Sequence, residues 1–365
     1  MARIAILTPT IASADAVSND ALGMKRMLRE RGHEVQMFAE DWSLGGRQVQ
    51  HYLAINSFIE DSNDVLIYHH SIGWDAGVDV LQEVNCRTII KYHNVTPARF
   101  FEGVSPYYQN LCTQGRSQLQ VIARAGHDLY MAASAYNMDE LRAAGTSKSC
   151  SFVVPPFNHA DSLYSAEPDL DVVDQYTDGK TNLLTVGGVR PNKGHVALVE
   201  AFATYFYQFD CNSRLFIVGP EGPAFESYSK AIREVAELLC VDLSIVFTGE
   251  VSERALKAYY LVSNAFLMTS EHEGFGVPLV EAMAMKLPIV AYGCAAVPET
   301  VGNAGLVWPE RDPFLMAESV DHLVRNEFAG VALGTTGRRR YEKRFSNQSI
   351  EAQFLAALQQ TGFEL

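Results

Sequence analysis

Short apolar runs rich in β-branched residues alternate with amphipathic stretches along nearly the whole chain, and they do so in two series. That alternation constrains the fold more than any other feature, because it is the pattern of βα units built around parallel sheets. In the first series, strands are predicted at Arg3–Leu7, Glu34–Phe38, Val65–Tyr68, Thr88–Tyr92, Asp128–Ala132 and Ser151–Val154. Helices are predicted at Asn19–Glu30, Ser105–Ala125 and Met138–Ala144. Pro155-Pro156 stops the series, and the polar stretch 158–180 reads as an interdomain connection. The second series predicts strands at Asn182–Val186, Arg214–Val218, Ser244–Phe247, Ala265–Met268, Ile289–Tyr292 and Gly305–Val307. Its helices are predicted at His195–Phe209, Phe225–Leu239, Glu253–Leu261, Pro278–Met285 and Pro313–Asn326. The expectation is an α/β protein with two doubly wound domains, 1–157 and 181–340. A C-terminal segment, 341–365, carries a helix at Ser349–Gln360 that packs back on the first domain. In such folds a ligand lies outside the carboxyl ends of the strands, so it is expected in a cleft where the two sets of strand ends face each other.

Composition narrows the function. A net charge of −14 argues against nucleic acid as the main partner, since phosphate backbones demand a basic surface. No run is long enough for a membrane span, and Met1–Leu7 leads into a strand without the sections of a signal peptide. Six scattered cysteines with no C-x-x-C spacing read as reduced thiols and supply no zinc cluster. These features predict a cytoplasmic protein, with at most peripheral contact at the inner membrane face. The basic run around Arg338-Arg339-Arg340 would suit an anion but is more often a solvated helix face.

The richest chemistry lies between Glu271 and Gly305. Glu273 and Glu281 stand eight positions apart, flanking Gly274-Phe275-Gly276 and the apolar start of a helix. Glycines allow close backbone approach, and a helix start favours anions. With a carboxylate at each end to accept hydrogen bonds from hydroxyls, the segment suits a phosphorylated sugar. The plainer reading makes Glu273 a loop charge and Glu281 an early-helix Glu favoured by the helix field. The strand–loop–helix–strand setting favours the first reading.

Three blocks of the second half resemble the retaining glycosyltransferases of family 4, also called group 1, which have the GT-B fold of two Rossmann-like domains. The blocks are Val186–Gly194, Phe247–Val251 and Ser270–Ala282, the last continuing to Pro298-Glu299 and Asn303–Gly305. The first domain matches more loosely. The resemblance implies metal-independent transfer of a hexose, glucose or mannose, from UDP-glucose or GDP-mannose. The acceptor would be a hydroxyl of a saccharide or lipid-linked saccharide, in bacterial cell-surface polysaccharide synthesis. It implies a donor site built from Gly188, Arg190, Lys193, Glu273, Gly274, Phe275, Gly276, Val277, Leu279, Val280 and Glu281. Arg190 and Lys193 would neutralise the leaving diphosphate, Glu281 would accept from the ribose hydroxyls, and Glu273 would lie near the sugar. His93, at the end of a strand, would contact the transferred sugar, so His93, Arg190, Lys193 and Glu273 are the expected catalytic set. The competing reading of His93 is a structural imidazole bonded to a loop carbonyl.

His69 and His70, at the end of another strand, are weaker candidates for the cleft. Ser134 and Asn137 resemble a family position, with helix capping as the alternative. Many relatives carry paired glycines after the first strand, whereas Pro9–Asp20 here contains none. Asp15, Ser18 and Asn19 are therefore assigned to acceptor hydroxyls rather than to phosphate. Asp169-Leu170-Asp171 spells a metal-binding D-x-D but falls outside any strand end, so no metal and no cofactor are expected. Two alternatives are kept: a nucleotide-sugar epimerase on the same fold, and a nucleotide-sugar-binding subunit without catalysis.

Overall fold

The computed structural model describes residues 3–12, 15–43 and 48–362 of the chain. They form two compact units. The first comprises residues up to Arg99, Tyr107–Asn158 and the segment from Phe345 onward; the second comprises Phe100–Pro106 and His159–Arg344.

The first unit contains β1 (Arg3–Leu7), β2 (Thr10–Ile11), α1 (Ala16–Glu30), β3 (Glu34–Ala39), β4 (Asp41–Trp42) and β5 (Val49–His51). It continues with β6 (Val65–His70), α2 (Asp75–Glu83), β7 (Arg87–Tyr92), α3 (Pro106–Arg124), β8 (Leu129–Ala132), α4 (Ala135–Ala144) and β9 (Ser151–Val153). Seven strands pair in parallel in the order β5-β3-β1-β6-β7-β8-β9. Every residue of β6 is buried, as expected for a strand covered on both faces. The order runs outward in both directions from β1 and β6, which makes the gap beyond their carboxyl ends a topological switch point.

The second unit opens with two short helices, α5 (Ala160–Ser165) and α6 (Leu170–Tyr176), where the sequence suggested a connection. Leu163 of α5 is fully buried, and Asp169 caps α6 by accepting from the Asp171 amide at 3.1 Å. The D-x-D is thus a helix cap. Then follow β10 (Thr181–Val186), α7 (His195–Gln208), β11 (Ser213–Val218), α8 (Glu226–Leu238), β12 (Ile245–Gly249), α9 (Glu253–Val262) and β13 (Ala265–Met268). The unit closes with α10 (Val277–Ala284), β14 (Ile289–Tyr292), α11 (Val297–Val301), β15 (Gly305–Trp308), α12 (Pro313–Arg325) and α13 (Glu327–Arg344). Six parallel strands take the order β12-β11-β10-β13-β14-β15, with the switch point between β10 and β13.

The last helix, α14 (Asn347–Gln360), places Ile350, Phe354, Ala357 and Leu358 in the core of the first unit. Arg31, which follows α1, donates to Glu351 on its surface at 2.7 Å. The second core gathers apolar residues of α7, β10, β11, β13 and α12, among them Phe202, Leu215, Leu267 and Val320. Among the described residues, no helix is long and apolar enough to cross a membrane.

Candidate functional site

The second unit's switch point is lined by the loop after β10 and the loop after β13, and the two are stitched together. Asn192 lies buried between them. Its carbonyl accepts the Glu271 amide at 2.8 Å, and its side-chain amide donates to the His272 carbonyl at 3.1 Å. Thr269 Oγ1 donates to the Gly194 carbonyl at 2.9 Å. Gly194 sits at φ +64°, and a Cβ there would come within 2.3 Å of the Thr269 oxygen. Only glycine meets both demands.

This stitching fixes Lys193 and Glu273. Lys193 Nζ donates to Glu273 Oε1 at 2.7 Å and Oε2 at 3.0 Å, and Ser270 Oγ donates to Oε1 at 2.7 Å. The Glu273 side chain is 7% exposed and that of Lys193 23%. The pair therefore has a buried carboxylate and an ammonium that solvent can reach. Cys294 lies close by, its Sγ donating to the Ser270 carbonyl at 2.9 Å. Burial, and then the Glu273 charge, push its thiol up to about 12, so it serves packing rather than nucleophilic attack. Arg190 remains exposed at the start of the short turn Pro191–Lys193, its guanidinium 5.9 Å from the centre of the Phe225 ring. Gly188 follows Gly187, which takes φ +144° as the chain leaves β10.

Gly276 caps α10 at φ +88°, and Pro278 at the second helical position costs no hydrogen bond there. Val277 and Gly274 are half-buried, while the side chains of Phe275, Leu279 and Val280 are buried. The Leu279 amide is bonded to the Gly276 carbonyl at 3.0 Å. Leu279 and Val280 thus shape the loop from the core. Thr300 Oγ1 donates to the Phe275 carbonyl at 2.7 Å, and the Ala296 amide to the Glu273 carbonyl at 3.2 Å, tying the loop to α11.

Glu281 is one turn into α10 and only 2% exposed. Tyr260 Oη donates to its Oε2 at 2.7 Å, and His159 Nε2 lies 3.3 Å from its Oε1. Burial, and then the Glu281 charge, push the Tyr260 hydroxyl well above its ordinary range, so it stays a donor. Neither Tyr260 nor His159 was singled out from sequence. Their signal is spatial, since α9 and the start of α5 are brought to α10 only by folding.

The first unit places its predicted residues at its own switch point. His93 follows β7, and its Nε2 lies 2.9 Å from His69 Nδ1 and 3.3 Å from Asp20 Oδ2. Its ring bonds side chains, not the loop carbonyl that the structural reading supposed. His70 is fully buried, its Nε2 3.0 Å from the Gly115 carbonyl. Asp15 caps α1, accepting the Ser18 amide at 2.9 Å and the Ser18 hydroxyl at 2.8 Å. Ser18 Oγ in turn accepts the Ala12 amide at 3.0 Å, and the Asn19 amide bonds the Asp15 carbonyl. Asp15 Oδ2 and the Ser18 hydroxyl are thus engaged in folding the helix start. Ser13 and Ala14 of this loop lie outside the described residues. Ser134 caps α4 through the Asn137 amide at 3.2 Å, and Asn137 Oδ1 accepts from Asn94 at 3.0 Å. That bond helps hold Asn94 at φ +83°, immediately after His93.

The basic run is mostly structural. Arg338 donates to the Ala284 carbonyl at 3.0 Å and stacks 4.0 Å from the centre of the Tyr164 ring. Arg340 donates to the carbonyls of Thr300 and Glu299.

Two parallel-sheet units, the second with a stitched, glycine-lined loop at its switch point, have the architecture of the GT-B fold. Residues 180–326 match the model for "Glycosyl transferases group 1". Sucrose-phosphate synthase from Thermosynechococcus elongatus has the same fold, with a TM-score of 0.79 at 19% identity over 99% of both chains. Anabaena Alr3699/HepE, crystallised with UDP and glucose, gives a TM-score of 0.77 at 14% identity, over 98% of this chain and 100% of that one. Among curated relatives, the GDP-mannose-dependent alpha-(1-6)-phosphatidylinositol monomannoside mannosyltransferase of Mycobacterium tuberculosis is 31% identical over 157 residues, 40% of this chain and 39% of its own length. CapM of Staphylococcus aureus, a capsular polysaccharide biosynthesis glycosyltransferase, is 26% identical over 167 residues, 45% of this chain and 42% of its own. The chain spans between 12% and 55% of the length of the curated relatives it matches.

Proposed function

We propose that this chain is a retaining hexosyltransferase that moves glucose or mannose from a nucleoside diphosphate to a hydroxyl of a saccharide or lipid-linked saccharide. The observation that carries the reading is the Lys193–Glu273–Ser270 cluster in the loops that lead into α10, the helix that carries the buried Glu281. Cleavage of the donor leaves negative charge on the diphosphate, which a fixed cation at the site stabilises. Lys193 supplies that charge as a point cation and the exposed Arg190 as a planar fork. No metal ion is invoked in this scheme. Glu281, held by Tyr260 and His159, accepts from the ribose hydroxyls. Glu273, held by Lys193 and Ser270, accepts from hydroxyls of the sugar, and His93 contributes its imidazole to the transferred hexose. The acceptor attacks the anomeric carbon on the face the phosphate leaves. The C–O bond to phosphate breaks as the new one forms, and the departing phosphate oxygen takes the acceptor's proton. The names of the relatives support both a UDP and a GDP donor, and cell-surface polysaccharide or glycolipid acceptors. The setting proposed is the cytoplasm, with peripheral contact at the membrane.

The test is thermal stabilisation of the chain by UDP, GDP, ADP and their sugars, with and without EDTA. One nucleotide should raise the melting temperature, and Lys193→Ala and Glu281→Ala should abolish the shift. No stabilisation at millimolar nucleotide would refute the donor site. Stabilisation that vanishes with EDTA would refute metal independence. Breakdown of the donor sugar with no acceptor requirement would point to an epimerase. Binding without any turnover would point to a non-catalytic subunit.

A further inference from the structure

Around His93 the first unit buries ionisable side chains to which the proposed transfer assigns no part. Asp20 comes from α1, His69 from the end of β6, Lys91 from β7, and His93 follows β7. The side chains of Asp20, His69 and Lys91 are wholly buried, and that of His93 is 7% exposed. Lys91 Nζ lies 3.7 Å from Asp20 Oδ2 and donates to the carbonyls of Val154 and Pro155. Asp20 Oδ1 accepts the Phe157 amide at 2.8 Å. No well-aligned hydrogen bond among the described residues reaches Asp20 Oδ2 or His69 Nε2.

Asp20 Oδ2, His69 Nδ1 and His93 Nε2 are close enough together to hold a metal ion. Charge weighs against it. The Lys91 ammonium already balances the single carboxylate, so a divalent cation would leave buried positive charge with no counter-ion. A shared hydrogen satisfies the same atoms without that cost. Two imidazole nitrogens 2.9 Å apart need one N–H and one lone pair. The Asp20 carboxylate, 3.3 Å from His93 Nε2, repels a lone pair there and attracts an N–H.

We infer that Asp20 and His69 are positioning residues that fix His93 as its Nε2–H tautomer, leaving Nδ1 with a lone pair to accept a hydrogen bond from a substrate hydroxyl. Burial keeps both rings neutral. It lowers His69 to about 3, helped by Lys91, and takes His93 well below its ordinary value, helped by His69, Lys91 and His70. Burial raises Asp20 to about 6 against the pull of Lys91, so its carboxylate is ionised at pH 8. The functional half of the inference rests on the proposed part of His93 in transfer; the tautomer does not.

The experiment uses the full chain labelled with 15N-histidine at pH 8. Long-range 1H–15N correlation spectra read the tautomer, and the signals lost in His93→Gln assign the ring. His93 should show a protonated Nε2 and an unprotonated Nδ1. Asp20→Asn should shift His93 toward the Nδ1–H form and lower kcat at least tenfold, with nucleotide affinity within about twofold of wild type. Because that variant leaves Lys91 without its counter-ion, Asp20→Asn/Lys91→Met serves where the single variant does not fold. An Nδ1–H tautomer in the wild type would overturn the inference. So would a changed tautomer with unchanged kcat, or stoichiometric Zn2+ binding that disappears in His69→Phe. If His93→Gln transfers sugar normally, the proposed role of His93 fails while the tautomer result stands.

Discussion

Each unit places a lysine and a carboxylate at the switch point of its parallel sheet, yet the two pairs differ. In the first, Lys91 and Asp20 are wholly buried and 3.7 Å apart, and the lysine spends its hydrogens on the Val154 and Pro155 carbonyls. In the second, Lys193 grips Glu273 through both oxygens but keeps 23% of its side chain exposed. A wholly buried ion pair is weak evidence for stability, though removing one partner is costly. A lysine at the edge of solvent can exchange its carboxylate for an incoming phosphate. The comparison separates a pair that holds residues in place from one that is free to act.

The strongest test is to remove each lysine in turn. Lys91→Met strands the Asp20 carboxylate and should cost about 3–5 kcal/mol by urea unfolding. Lys193→Met leaves the buried Glu273 with Ser270, and water can enter from the solvent-reachable side the lysine filled, so its stability cost should be smaller, about 1–3 kcal/mol. Its loss of turnover should be ~100-fold or more, because it removes a fixed charge from the leaving group. Equal stability costs for the two variants would remove the distinction.

A glycine comparison cuts at the second site. Gly194→Ala meets both a left-handed φ and the Thr269 carbonyl, so it must push the two loops apart. Gly32 has φ +88° with nothing within 4 Å of a Cβ. Gly32→Ala should cost only backbone strain, about 1 kcal/mol, and Gly194→Ala about 2–3 kcal/mol with loss of nucleotide stabilisation. If Gly194→Ala binds nucleotide normally, the stitched loops do not form the donor site.

The two regions also differ in how far the sequence revealed them. The second site is written in contiguous blocks, because loop glycines, a helix start and charges at short spacing all come from one or two loops. Strands such as Ala265–Met268 and Ile289–Tyr292 were legible to the residue, since buried parallel strands are short apolar runs bounded by turn signals. The array around His93 was hidden because its members lie on three separate elements, and nothing local links Asp20 to position 93. The same holds for Tyr260 and His159 against Glu281. Helix α13 escaped because its buried face is glycine: Gly330, Gly334 and Gly337 suppress helix propensity in the sequence. In the fold they allow close contact, since a Cβ at Gly334 would lie 2.1 Å from the Lys286 carbonyl oxygen. The two helices in 158–180 were masked by polar composition, with only Ala160 and Leu163 of the first of them fully buried.

Acid should strain both units in the same direction. Burial lowers His70 in the first and His195 in the second to about 4. A histidine whose folded value lies below its unfolded value stabilises fully above about pH 6.5, and that stability is lost as pH falls toward the folded value. Between pH 7.5 and 5.5 each should cost about 1 kcal/mol. His69 and His93 act in the same sense. Asp20 opposes them, because its raised value near 6 makes its contribution fade as pH rises. With four histidines against one aspartate, urea midpoints should fall from pH 7.5 to 5.5. A flat profile would mean that these rings are not held neutral.

The smallest effect tests whether Glu281 needs its support. Tyr260→Phe removes the hydroxyl that donates to Oε2 at 2.7 Å and leaves the ring stacked on Phe266. The carboxylate keeps His159 on its other oxygen, so it should remain in place but less firmly oriented. Nucleotide affinity should fall about threefold to tenfold, which is on the order of 1 kcal/mol. His159→Ala should fall less, about twofold, because that side chain is 28% exposed and water can take its place. Titration of both variants with the stabilising nucleotide gives the order directly. If neither changes affinity while Glu281→Ala abolishes it, Glu281 is held by the helix alone. If His159→Ala has the larger effect, the support comes from the start of α5, the segment the sequence had assigned to a mere connection.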